Sequence, residues 1–142
     1  MKRILLALAV GILGVPAVHA ACTKPSGRYV ASGGGLIFDA AGNVTDGEVD
    51  QMSVRIPLSA PWKGNAWATN QKQHFSNALT FPATGTPGNS FNATTCHGLI
   101  KIDSSRTMSY VVSNRGKVIE MMLWDAGAVG GVWTTVFTLH KV

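Results

Sequence analysis

From Gly27 onward, apolar and polar residues alternate in short runs that stop at glycine or at clusters of Asn, Asp and Ser, a period of two that predicts strands rather than helices. The stretch "GRYVASGGGLIFDAAGNVTDGEVDQMSVRI" reads as a strand near Arg28 to Ala31, a glycine break at Gly33 to Gly35, and a further run through Phe38. Asp39-Ala40-Ala41-Gly42 then fits a type I turn followed by a left-handed glycine, the three-residue hairpin connection. The chain returns as a strand from Asn43 toward Ile56, where Pro57 ends it.

The second half repeats the pattern. Strands are predicted at Ser90 to Thr94, His97 to Ile102, Thr107 to Ser113, Lys117 to Trp124 and Val132 to Lys141. The connections "DSSR", "NRG" and "DAGAVGG" are too short for a parallel crossover, so neighbouring strands should be antiparallel. Seven or eight strands joined by local meanders predict an all-β, up-and-down antiparallel barrel. Between Leu58 and Asn89 the alternation fails: Trp62, Trp67, Phe75 and Phe81 are scattered among Pro, Gly and polar residues. That segment is predicted to be irregular or to hold a short helix within Asn65 to Leu79, acting either as a plug of the barrel or as a lid over it.

The N-terminus changes the compartment. Met1-Lys2-Arg3, an apolar run from Ile4 to Val15 and small residues before Ala21 have the form of a secretory signal peptide, cleaved after Ala20. The apolar run falls short of the ~20 residues of a spanning helix, so no membrane span is expected. The mature chain is then one domain, 21–142, exported to the periplasm or secreted. In an oxidising compartment Cys22 and Cys96 are expected to pair, because no CxxC or paired-histidine spacing offers them a metal.

Lysine and arginine number 12 against 7 aspartates and glutamates, but Lys2 and Arg3 leave with the leader, and the remaining bases are scattered singly. Nucleic-acid binding needs them clustered, so no nucleic-acid partner is expected. No G-x-S-x-G, H-E-x-x-H or CxxCH motif occurs, and no catalytic, metal or cofactor site is assigned. Asp46, Glu48 and Asp50 alternate, so a strand would put all three on one face. That face is read as a solvated outer one, with Ca²⁺ ligation as the lesser reading.

The segments "FDAAGNVTDGEV", "ATTCHGLIKI", "VVSNRGKVIEMM" and "TTVFTLHKV" together resemble a group of small exported bacterial proteins, mostly uncharacterised, with a lipocalin-like antiparallel barrel. The resemblance implies fold and not activity. The lipocalin Gly-x-Trp start stands here as Gly27-Arg28-Tyr29.

One charge interrupts an apolar strand, Glu120 in "GKVIEMMLWD". A two-residue loop, Arg115-Gly116, would set Glu120 opposite Val111 on a wet face but force Arg115 to positive φ. A three-residue loop, Asn114 to Gly116, asks this only of glycine and turns Glu120 inward, opposite Tyr110. On the inward register Tyr110, Glu120, Met122, Trp124 and Trp67 are the expected ligand-binding residues for a small, partly apolar molecule. A structural or interaction protein of the envelope, its barrel filled by its own side chains, is the alternative.

Overall fold

A computed structural model of the protein describes residues 21–70, 74–125 and 132–142, apart from the side chains of Phe75 and Trp133. The expected leader, 1–20, lies outside the described residues. The strands are β1 (Gly27–Phe38), β2 (Val44–Ile56), β3 (Trp62–Asn70), β4 (His74–Phe81), β5 (Asn89–Asn92), β6 (His97–Lys101), β7 (Arg106–Ser113), β8 (Val118–Asp125) and β9 (Val132–Lys141). They form one antiparallel sheet of 9 strands in the order β4-β3-β2-β1-β9-β8-β7-β6-β5, curled into a half-barrel. Consecutive strands pair except β4 and β5, which are the two edges, and β9 returns to pair with β1.

Alternation sets the two faces. Tyr29, Met52, Val54, Ile56, Met108, Tyr110, Val112, Ile119, Met121, Phe137 and Leu139 all point into the concave side and form one core. The glycine run does not break β1 as expected, because a side chain at Gly33 would collide with the carbonyl of Val136 on β9. Glycine there lets two central strands approach. The Asp39 turn forms as expected: Gly42 has φ 86°, and its N–H donates to the Asp39 carbonyl at 3.0 Å.

The segment after Leu58 differs from expectation. It is the hairpin β3–β4, with no helix among its described residues. Its inward positions after Trp62 are Gly64, Ala66 and Ala68, while the bulky Trp67 faces out at 45% exposure. Small residues inside and a tryptophan outside inverted the usual signal, which hid the strand and raises the count from seven or eight to nine. Residues 82–88 then bridge the two edges through a buried polar set. Trp62 Nε1 donates to Thr84 Oγ1 at 3.0 Å, Asn89 Nδ2 to the Pro82 carbonyl at 2.8 Å, and the Tyr110 hydroxyl to Asn89 Oδ1 at 3.0 Å. The Tyr110 ring occupies the space that a side chain at Gly98 would fill.

Cys22 and Cys96 are disulfide-bonded, with Cα atoms 5.3 Å apart and a sequence separation of 74. The bridge ties the segment leading into β1 to the β5–β6 turn, and the Cys22 N–H also donates to the Ala93 carbonyl at 2.7 Å. A loop of this length constrains the unfolded chain by about 4 to 5 kcal/mol in the loop-entropy model. Urea unfolding of the oxidised protein and of Cys22→Ser/Cys96→Ser should differ by a stability of that order. A difference under about 1 kcal/mol would show that the bridge closes no such loop in the unfolded ensemble.

Candidate functional site

The β7–β8 register decides where the expected site residues go. Ser113 pairs with Val118, and Glu120 therefore stands opposite Val111, facing solvent. The inward register is overturned. Arg115 does adopt the left-handed conformation, φ 55° and ψ 39°, and the Lys117 N–H closes the turn on the Asn114 carbonyl at 3.1 Å. Tertiary contacts offset the cost of a side chain at positive φ. The buried Tyr29 hydroxyl donates to the Gly116 carbonyl at 2.6 Å, and the Lys141 N–H donates to the Lys117 carbonyl at 2.8 Å. Local turn chemistry preferred one register, and these non-local bonds selected the other.

The five expected residues do not gather. Tyr110 is inside, pinned by Asn89 and packed edge-on against Trp62 with ring centroids 5.5 Å apart. Burial pushes its phenol up to about 12, so it stays protonated and serves as a donor within the core. Met122 and Trp124, 48% and 52% exposed, stand with Glu120 on the convex face, and Trp67 lies on that face four strands away.

A carboxylate pair occupies the interior instead. The alternation that buries Met52, Val54 and Ile56 carries two steps back along β2, so Asp50 and Glu48 also turn inward, at 3% and 8% exposure. The reading of this row as a solvated outer face is corrected by the same periodicity that suggested it. Space for them comes from their neighbours: Asp50 is registered between Gly33 on β1 and Ala68 on β3, and Glu48 beside Gly35. Thr135 Oγ1 on β9 donates to Glu48 Oε1 at 3.2 Å. Asp50 Oδ2 is buried with no hydrogen-bond partner.

Asp50 lines a cavity of about 290 Å³ whose other walls are mostly apolar, including Met52, Ala66, Leu79, Met108 and Phe137. Arg106 reaches the rim but is engaged by Asp103, its Nε 2.7 Å from Oδ2. Hydrogen bonds from Arg106 and neighbouring backbone hold the Asp103 carboxyl well below its ordinary range. Asp50 moves the other way. Desolvation first, then the negative charge of Glu48 and a hydrogen bond shared with it, push its pKa up to about 7. Near neutrality Asp50 is therefore partly protonated, and a cationic group entering the cavity would displace that proton. Among the described residues no group of three His, Cys, Asp or Glu side chains is placed to hold a metal ion.

The sequence carried a signal for this cavity that the acidic row alone did not. Gly33-x-Gly35 and Ala66-x-Ala68 are small residues at the strand period, flanking a strand with carboxylates at the same period. No known family model matches the chain, and no curated protein is significantly similar to it.

Two outcomes follow from this geometry. Raising the folded-state pKa of an acid adds stability below its unfolded pKa of 3.8, and that stability is lost as pH rises toward 7. Unfolding free energy should thus fall by on the order of 2 to 4 kcal/mol between pH 4 and pH 8 through this group. Asp50→Asn should flatten that slope, stabilising the protein at pH 8 with little effect at pH 5. An unchanged slope would place the titrating group elsewhere. Glu120→Gln, on the wet face, should shift stability by less than about 0.5 kcal/mol in the same measurements.

Proposed function

We propose that the protein is an exported half-barrel that binds a small, partly apolar molecule on its concave face, with Asp50 receiving an amine or another strong hydrogen-bond donor. The observation that carries this reading is the unpartnered Oδ2 of Asp50 inside a mainly apolar cavity. A buried polar oxygen without a partner costs about 1 to 3 kcal/mol, and a ligand group that satisfies it recovers that cost on binding. The cavity's volume, about 290 Å³, sits at the small end of ligand sites, so the fitting molecule is small. Export is supported by the leader-like N-terminus and by the disulfide. No helix among the described residues is long and apolar enough to cross a membrane. The turn and strand segments support kinship with the small exported, lipocalin-like bacterial proteins, and they bear on fold more than on ligand.

The interaction-protein reading has its own support. Val111, Met122, Trp124, Val136, Leu36 and Val49 are large apolar side chains exposed on the convex face. A covered sheet would account for them, and such a partner would belong to the envelope.

Native mass spectrometry of the protein purified from its own host separates the two. The ligand reading expects a bound small-molecule mass that disappears in Asp50→Asn and in Ala68→Phe, the latter filling the cavity. A bare chain, or an adduct that both variants retain, would overturn it, and a bare but oligomeric chain would favour the interaction reading.

A further inference from the structure

The charged side chains are sorted along the strands. Register brings Arg55 beside Arg28 and Lys63, and sets Lys141 beside Tyr29. Lys117 and the Arg115 turn join them at this end of the sheet. Asp39, Asp46, Glu48, Asp103 and Asp125 lie toward the opposite end, and only Asp50 and Glu120 are mid-strand among the 7 acidic residues.

Within the basic end, Arg28, Arg55 and Lys63 are directly opposed on three adjacent strands, all exposed on the convex face. Opposed residues of this kind have Cβ atoms about 4.5 to 5.5 Å apart, and like charges in that arrangement destabilise a sheet. Among the described residues no acidic side chain forms an ion pair with any of the three. Arg106 and Asp103 form a side-chain ion pair, but at the other end of the sheet. The three cations line an open cleft of about 910 Å³ that also takes in Ser53 and Asn65 from the next outward row. Val142 lies beside it, its backbone N–H donating to the Arg28 carbonyl at 3.0 Å. Among the described residues no acidic side chain borders it.

We propose that this cleft binds a phosphate-type oxyanion carried by a small solute, at a site separate from the Asp50 cavity on the other face of the sheet. The guanidinium groups of Arg28 and Arg55 supply planar forks that match the oxygen pairs of a tetrahedral anion. Lys63 adds a third positive charge, and Ser53 and Asn65 offer neutral donors. A dianion removes the mutual repulsion of the row, so binding and sheet stability are linked.

The test uses the disulfide-bonded mature protein at low ionic strength, titrated with inorganic phosphate and with chloride at matched ionic strength. Unfolding temperature and backbone amide NMR shifts are read together. Phosphate should raise the unfolding temperature more than chloride does and move the Arg28, Arg55 and Lys63 amides in a saturable way. Arg55→Gln should weaken phosphate binding about tenfold or more while raising the unfolding temperature in its absence. Lys101→Gln, a cation at the far end, should leave binding unchanged. If Arg55→Gln fails to fold, Arg28→Gln is expected to show the same loss. Equal responses to phosphate and chloride, or equal binding by the Arg55 and Lys101 variants, would overturn the proposal. Binding to phosphatidylglycerol vesicles with no response to inorganic phosphate would also overturn it, pointing to a lipid surface instead.

Discussion

The structure depends on the pairing of β1 with β9, which joins the first strand to the last. Without it the chain would be two separate meanders, β1 to β4 and β5 to β9, each with one apolar face and too little to bury it against. With it, both inward faces meet in a single concave core. The pairing also composes the candidate site. Asp50 and Phe137 come into one row through Gly33, and Glu48 meets Thr135 across Gly35. A side chain at Gly33 would strike the β9 backbone, so the same glycine that admits the pairing leaves Asp50 without a bulky neighbour. The disulfide reinforces the arrangement from outside, since it anchors the residues just before β1 to the edge hairpin of the other meander.

What results is a core with a deliberate weakness. Most of the concave face is filled by aliphatic and aromatic side chains, and the 82–89 bridge is polar yet fully paired through Trp62, Thr84, Asn89 and Tyr110. Against that background Asp50 is costly: its charged form is desolvated, and Glu48 repels it. A sheet under selection for stability alone would place a hydrophobic residue between Gly33 and Ala68. Retaining a carboxyl group there, beside residues too small to fill the space, is the arrangement that a ligand with a donor group would complete.

The strands of the second half were legible almost to the residue, because β6 to β9 alternate plainly and end at turn-forming residues. The β3–β4 hairpin was not, since Gly64, Ala66 and Ala68 face inward and make no hydrophobic signal, while Trp67 makes a false one outside. The disulfide is legible from the leader-like N-terminus and the presence of two cysteines. Glu120 shows where local argument stops: the turn's intrinsic preference favoured one register, and the Tyr29 bond to Gly116, 87 residues apart in sequence, belongs to the other. The acidic row is legible in the sequence as a row, but the face it occupies is not. Its direction is fixed by Met52, Val54 and Ile56 farther along the same strand, a constraint that acts over the whole of β2.

Everything built on the concave face rests on Asp50 being a buried, desolvated carboxyl group beside Glu48, lining a cavity of about 290 Å³. Carboxyl-carbon NMR of the uniformly labelled protein, followed from pH 3 to pH 9 with the Asp50 resonance assigned by its loss in Asp50→Asn, reads that state directly. The Asp50 resonance should titrate near 7, raised by burial and by the neighbouring Glu48 charge. A single titration near 4, as for a solvated aspartate, would contradict the desolvated pair and the site built on it.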